Sequence, residues 1–295
     1  MTAQREDVTE LPGMEAPVLG PTGRPLTDFP VPPKIKSHGP ARIIALCNQK
    51  GGVGKTTTAI NLGASFAEYG RRTLVVDFDP QGALSAGLGV PTHDAVTVYD
   101  LLLGTVKDVS SVIVPTASEN LDVIPANIDL SAAEVHLVNE VAREQILARV
   151  LRQVADRYDV ILIDCQPSLG LLTVNALTAA HGVLIPLECE YFALRGVALL
   201  VETVEKVRDR LNPAIKLDGI LATMYDPRTL HSREVLERVV EAFGDSVLET
   251  VIGRTVKFPD ASVAGAPLNT FAPEHAAAEA YRQVARELIH RGAVA

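Results

Sequence analysis

The stretch that most limits what this chain can fold into is an apolar run, Ile43-Ile44-Ala45-Leu46-Cys47, followed at once by Asn48-Gln49-Lys50-Gly51-Gly52-Val53-Gly54-Lys55-Thr56-Thr57-Thr58. Helix-forming residues follow from Ala59 to Tyr69. Strand, glycine turn and helix in that order form a phosphate-binding context. Glycines let backbone N–H groups crowd around a polyphosphate without Cβ clashes. The helix start adds unpaired N–H donors and the positive end of the helix dipole. Lys55 offers a point charge for β- and γ-phosphates, and Thr56 a hydroxyl for Mg²⁺.

The ordinary loop pattern, Gly-x4-Gly-Lys-Ser/Thr, is missed by one position: Gln49 stands where its first glycine would be. Lys50 and Lys55 instead bracket the glycines. Lys55 already fills the role inside the loop. Lys50, at the first bend, is poorly placed to grip the same phosphates from within, and fits better as a group reaching the phosphates of a facing subunit. The pattern resembles the deviant Walker A box of the ParA/MinD class of P-loop ATPases, in which this lysine acts across a nucleotide sandwich dimer.

A second buried run, Thr73-Leu74-Val75-Val76, leads into Asp77-Phe78-Asp79-Pro80-Gln81-Gly82. Carboxylates at the carboxyl end of a parallel strand beside a phosphate loop lie where open α/β sheets bind ligands. Alternation predicts Asp77 and Asp79 on one side. A third run, Val160-Ile161-Leu162-Ile163, closes on Asp164, the form of a Walker B strand whose terminal carboxylate serves Mg²⁺. Gln166 follows where the resembling family has the first of two prolines, which predicts a less rigid turn.

The remaining pattern predicts helices over 97–103, 132–138, 141–157, 192–211, 229–243 and 273–290. Short strands are expected over 112–114, 121–124, 183–187, 217–224 and 247–252, with a loop over 253–272. Ser131 and Glu134 have the spacing of a capping box for the helix from Ala132. The alternation predicts an α/β fold: a single doubly wound, mostly parallel sheet with helices on both faces. A chain of 295 residues with 47% hydrophobic side chains can fill such a core. The aromatic share is 4% and Trp is absent, so Ala, Val and Leu do the packing.

Residues 1–40 differ. They hold eight of the nineteen prolines and no hydrophobic period, which predicts a disordered or extended arm ahead of a domain spanning 41–295. Met14 leaves room for a shorter start. Cys47, Cys165 and Cys189 form no CxxC pair and sit among apolar residues, as reduced thiols of a cytoplasmic protein would. The seven histidines show no metal-ligand spacing. No apolar run approaches the roughly 20 residues of a membrane span.

Beyond the deviant loop, Asp77-Phe78-Asp79-Pro80-Gln81-Gly82, Asp164-x-x-Pro167-Ser168 and Thr223-Met224-Tyr225-Asp226-x-Arg228-Thr229 resemble the ParA (Soj) chromosome-partition ATPases over about residues 42–290. The resemblance implies a cycle. ATP and Mg²⁺ bind, a sandwich homodimer forms, and the dimer binds double-stranded DNA non-specifically at the nucleoid. A ParB-type centromere-binding protein then stimulates hydrolysis and release. It implies ATP contacts from Lys50, Gly51, Gly52, Val53, Gly54, Lys55, Thr56 and Thr57, with Thr56 and Asp164 at the metal. Asp79 would orient the attacking water, and Lys50 of the facing subunit would neutralise charge. Met224 and the loop near Pro259 and Asp260 are candidates for the adenine pocket.

A net charge of −9 excludes a uniformly positive surface, so DNA contact must come from a local patch. Arg228, Arg233, Arg238, Arg254 and Lys257 fall in the last third. Arg228, Arg254 and Lys257 are the DNA-binding candidates, the two arginines lying in segments whose family counterparts contact DNA. The main alternative is a membrane-positioned ATPase like MinD, which needs a basic, bulky-apolar C-terminal helix. Here Tyr281, Val284 and Leu288 make a narrow stripe that reads as core, so no membrane partner is expected. An iron–sulfur reductase would need cysteines placed to share a cluster between subunits, and these three do not fit. A non-enzymatic scaffold would not need Lys50, Lys55, Asp79 and Asp164 together.

Overall fold

The computed structural model describes residues 18–190 and 193–295. Within them, seven strands form one sheet in the order β3-β4-β2-β5-β1-β6-β7. They are β1 (Arg42–Leu46), β2 (Thr73–Phe78), β3 (Val114–Pro115), β4 (Leu121–Ile124), β5 (Val160–Cys165), β6 (Gly182–Glu188) and β7 (Lys216–Thr223). All neighbours run parallel except the β3–β4 pair, which is antiparallel.

The helices are α1 (Lys55–Glu68), α2 (Ala83–Gly87), α3 (Val98–Leu103), α4 (Ala133–His136), α5 (Ile146–Arg152), α6 (Leu171–Ala179), α7 (Ala193–Arg210), α8 (Leu230–Phe243), α9 (Lys257–Val263), α10 (Leu268–Phe271) and α11 (Ala276–His290). Period-two alternation divides the strands between two buried layers. Ile43, Ala45, Ile161 and Ile163 face α3, α5, α6, α7 and α8. Ile44, Leu46, Val160 and Leu162 face α1 and α11. Both faces are covered, which is why the strands read as continuous apolar runs. The chain winds away from β1 in both directions, so the loop after β1 opens into the crevice at this reversal of strand order.

Several elements differ from the sequence expectation. Helix α1 starts at Lys55, four residues early, because Gly54 takes a left-handed backbone (φ 84°) that turns the loop straight into the helix. The helix expected over 141–157 is broken. Ala142 is left-handed (φ 54°), and only 146–152 is α-helical, between short 3-10 turns. Residues 247–252 are not a strand. They touch β7 through backbone bonds Leu248 N to Ile220 O and Ile252 N to Ala222 O, without continuous pairing. The expected loop 253–272 contains α9 and α10, and α6 has no counterpart in the expectation. The start expected for α7 at 192 lies outside the described residues.

The capping box expected at Ser131 and Glu134 does not form: α4 begins after Ala132 with no side-chain cap. Glu134 turns across to α6 instead. Thr97 and Asp100 make a capping box at the start of α3.

Residues 18–40 run over the amino-terminal end of the sheet, opposite the loop after β1. Arg24 donates to the Val247 carbonyl at 2.8 Å, and Phe29 is buried beside His290. Arg71 donates to the Pro33 carbonyl at 2.9 Å, and Gly39 N donates to Asp159 Oδ1 at 2.9 Å. Residues 1–17, including Met14, lie outside the described residues.

Candidate nucleotide site

The glycine loop carries positive φ at Gly52 (77°) and Gly54 (84°), so its backbone curls around an open centre. Val53 is buried, and its carbonyl accepts the Thr223 hydroxyl at 2.9 Å, fastening the loop to the end of β7. Lys55 is only 6% exposed, yet the one hydrogen bond its ammonium makes among the described residues is to the Lys50 carbonyl, at 3.2 Å. A buried cation with donors to spare and no carboxylate bonded to it calls for an anion.

Lys50 behaves oppositely. Its side chain leaves the loop and donates to Glu188 Oε2 at 3.0 Å and to Glu190. Partial burial works against its charge, but the bonds to Glu190 and Glu188 outweigh that and raise its pKa. Asn48 sets the bend: Oδ1 accepts Lys50 N at 3.0 Å, and Nδ2 donates to the Pro186 carbonyl at 2.8 Å.

Thr56 donates to Asp164 Oδ2 at 2.7 Å, while Asp164 Oδ1 is buried with no hydrogen-bond partner among the described residues. Burial, then the neighbouring Asp77, pushes the Asp164 pKa up to about 8. No cluster of three His, Cys, Asp or Glu side chains that could hold a metal exists among the described residues. A hydroxyl plus one carboxylate with an orphaned oxygen is nonetheless a donor set that suits Mg²⁺, which keeps waters and takes phosphate oxygens for its remaining positions.

Asp77 and Asp79, expected on one side, separate into different settings. Asp77 is fully buried and accepts Ser85 N at 2.9 Å and Ser85 Oγ at 2.7 Å. Burial lifts its pKa to about 6 despite those bonds. It fixes α2 to β2. Asp79 lies past the strand end, partly exposed, accepting Gln81 N at 3.0 Å.

A cleft of about 360 Å³ adjoins the loop, bounded by Gly54, Thr57, Thr223, Met224, Gly253, Arg254, Phe258, Pro259, Ser262 and Tyr281. Met224 and Pro259 line it, and Asp260 does not. Met224 is left-handed (φ 52°), a strained state worth about 1–2 kcal/mol in an L-residue. Sequence reasoning missed Phe258, Ser262 and the wall function of Tyr281. Tyr281 is buried, its hydroxyl 3.1 Å from Thr58 Oγ1 and its ring edge-on to Phe258. The helical stripe marks Tyr281 only as core, and nothing local distinguishes a core face from a cleft wall.

Arg228 and Arg254 come together on adjacent loops, since Arg254 N donates to the Tyr225 carbonyl at 3.2 Å. Each is paired with an acid. Arg228 grips Asp226 with two nitrogens, and Arg254 reaches Glu188 at 3.3 Å, the same carboxylate that holds Lys50. The third cation, Lys257, pairs with Asp260 at 3.4 Å at the start of α9. The three cysteines are free and buried, with Cys47 Sγ 3.2 Å from Cys165 Sγ.

The profile of the AAA domain family matches residues 41–217. An uncharacterised protein of Mycobacterium tuberculosis is 62% identical over 274 residues, 92% of this chain and 86% of its own length. The chromosome-partitioning ATPase Soj of Treponema pallidum is 51% identical over 250 residues, 85% of this chain and 98% of its own. A crystal structure described as cobyrinic acid a,c-diamide synthase from Mycobacterium smegmatis, with bound ADP and magnesium, superposes with a TM-score of 0.76 at 42% identity. The match covers 85% of this chain and 95% of that one.

Proposed function

The chain belongs to the ParA/Soj family of chromosome-partitioning P-loop ATPases, and from that premise we propose that it cycles between a monomer and an ATP-bound sandwich dimer that holds DNA. It is an ATPase that uses ATP and Mg²⁺. The observation that carries the proposal is the division of labour between the two loop lysines. Lys55 is buried in the loop with its charge free for phosphate, whereas Lys50 is turned outward to Glu188 and Glu190.

In this reading Gly51, Gly52, Val53, Gly54 and Thr57 present backbone and side-chain donors to the phosphates, and Met224 and Pro259 flank the base. Thr56 and Asp164 hold magnesium, which when bound neutralises phosphate charge. Asp79 orients the attacking water. Lys50 leaves its own acids and crosses to the facing subunit's nucleotide, where a cation stabilises charge developing in phosphoryl transfer. Asp77 is structural. Residues 41–295 form the ATPase domain, with residues 1–40 an appended arm.

Arg228, Arg254 and Lys257 form the DNA patch, doubled on dimerisation. Contacts to phosphate alone give little sequence preference and steep salt dependence. The burial of Tyr281, Val284 and Leu288 on α11 in the core against α1 favours the partition reading over the MinD-like alternative. No described helix is long and apolar enough to cross a membrane.

The test is ATP hydrolysis with and without DNA and a ParB-type protein, alongside oligomeric state in a non-hydrolysable ATP analogue. A protein that stays monomeric when saturated with the analogue overturns the dimer cycle.

A further inference from the structure

Gln166 occupies a junction between the two carboxylate turns. Its backbone N donates to the Phe78 carbonyl at 3.3 Å, immediately before Asp79. Its own position is two residues beyond Asp164. Its side-chain Nε2 donates to Glu134 Oε1 at 3.3 Å. The same Glu134 oxygen accepts Leu172 N at 3.3 Å, at the start of α6. The carboxylate fills the space over Gly170, where any Cβ would collide with it. Glu134 thus closes both ends of the segment 166–172 with one oxygen, from a helix that carries no other part of the site.

We propose that Glu134 is a positioning residue for ATP hydrolysis, acting through Gln166 on the turns that carry Asp79 and Asp164. This rests on the role given to Asp79 above. The physical reason is that a turn must be held in one geometry for a carboxylate to align a water. A misplacement of about 1 Å costs about a hundredfold in rate. The loop after Asp164 has no hydrogen-bonded ladder of its own beyond β5. Ser168 N to Gln166 O, Gly170 N to Ser168 Oγ and Thr173 Oγ1 to Ser168 O fold it on itself. The Glu134 contacts join that folded loop to α4, and the Gln166 backbone N–H joins it to the Phe78 carbonyl at the end of β2. Because Gln166 touches Asp79's strand and not the glycine loop, loosening it changes the chemical step more than nucleotide affinity.

The pair is a donor–acceptor couple, so it can be reversed. Gln166→Glu sets two acceptors against each other; adding Glu134→Gln restores a donor at position 134, its nitrogen turned to the new carboxylate and its oxygen to Leu172 N, so that two atoms serve the partners that shared one. Steady-state hydrolysis of MgATP by the full chain, with kcat and KM separated, tests this. Gln166→Glu is expected to lower kcat about fivefold or more while KM stays within about twofold, and the double variant to return kcat to within about twofold of the parent. Gln166→Ala, which removes only the side-chain arm, is expected to lower kcat in the same way and decides the matter if Gln166→Glu does not fold. An unchanged kcat in Gln166→Ala, or a double variant no better than Gln166→Glu alone, overturns the proposal. Asp79→Ala run in parallel keeps the two readings apart. A parent-like rate there removes Asp79's role and, with it, the water-aligning step through which Glu134 is said to act.

Discussion

Asp77 and Asp164 stand opposite each other in register on the adjacent parallel strands β2 and β5, both buried, with hydrogen bonds to both oxygens only at Asp77. Two buried carboxylates side by side oppose each other's ionisation, and the unsatisfied oxygen is on the one that accepts the Thr56 hydroxyl.

Binding of magnesium with nucleotide should therefore release protons. The Asp164 pKa in the free protein is pushed up to about 8, and the cation requires the ionised form. The sign follows. Below that pKa the carboxyl is protonated and binding must expel a proton, so apparent affinity strengthens as pH rises toward about 8 and then levels. Calorimetry at pH 7 in buffers of different ionisation enthalpy should show net proton release on binding. A buffer-independent heat would contradict the assignment.

Lys55→Ala should strongly weaken nucleotide binding. Removing a buried charge that meets a phosphate costs about 2–5 kcal/mol, a loss of about thirtyfold to several thousandfold in Kd. Fluorescent-nucleotide titration measures it, and retained affinity would reject the loop assignment.

Lys50→Ala should separate binding from assembly. Its ammonium contacts Glu188 and Glu190 and no part of the loop interior, so ATP affinity should stay within about threefold while the ATP-dependent dimer is lost. Light scattering behind gel filtration would show a monomer at saturating analogue; a persisting dimer would refute the crossing lysine.

Asp79→Ala should lower kcat about a hundredfold or more, the scale of a lost water-orienting group, with ATP binding and dimerisation intact. The ATP dimer should then persist on DNA. An unchanged hydrolysis rate would remove Asp79 from the mechanism.

Arg228→Glu should weaken DNA binding without touching assembly, because the side chain is 87% exposed and its bonds among the described residues go to Asp226. If each protomer loses one phosphate contact, the slope of log affinity against log salt should fall by about 2 for the dimer. An unchanged slope would take Arg228 out of the patch.

Local chemistry made much of the site legible. Gly52 and Gly54 are spaced for a left-handed loop, and Thr56 and Asp164 read as metal ligands from their own motifs, although only the paired strands bring them within 2.7 Å. The strands were legible because burial on both faces writes unbroken aliphatic runs. The errors fall where one residue overrides a pattern. Ala142 breaks a helix whose periodicity looked continuous, and Val247–Ile252 has the composition of a strand but meets β7 at isolated points.

By itself the sequence determined the buried central strands, the phosphate loop and the order of the motifs, since these follow from backbone sterics and burial within a few residues. Tertiary structure alone decided which distant side chains meet. Lys50 pairs with Glu188, Tyr281 walls a cleft 223 residues from Thr58, and Glu134 abandons its local cap for Gln166. Such choices depend on which partner is nearest once the core has closed, and no local preference encodes that distance.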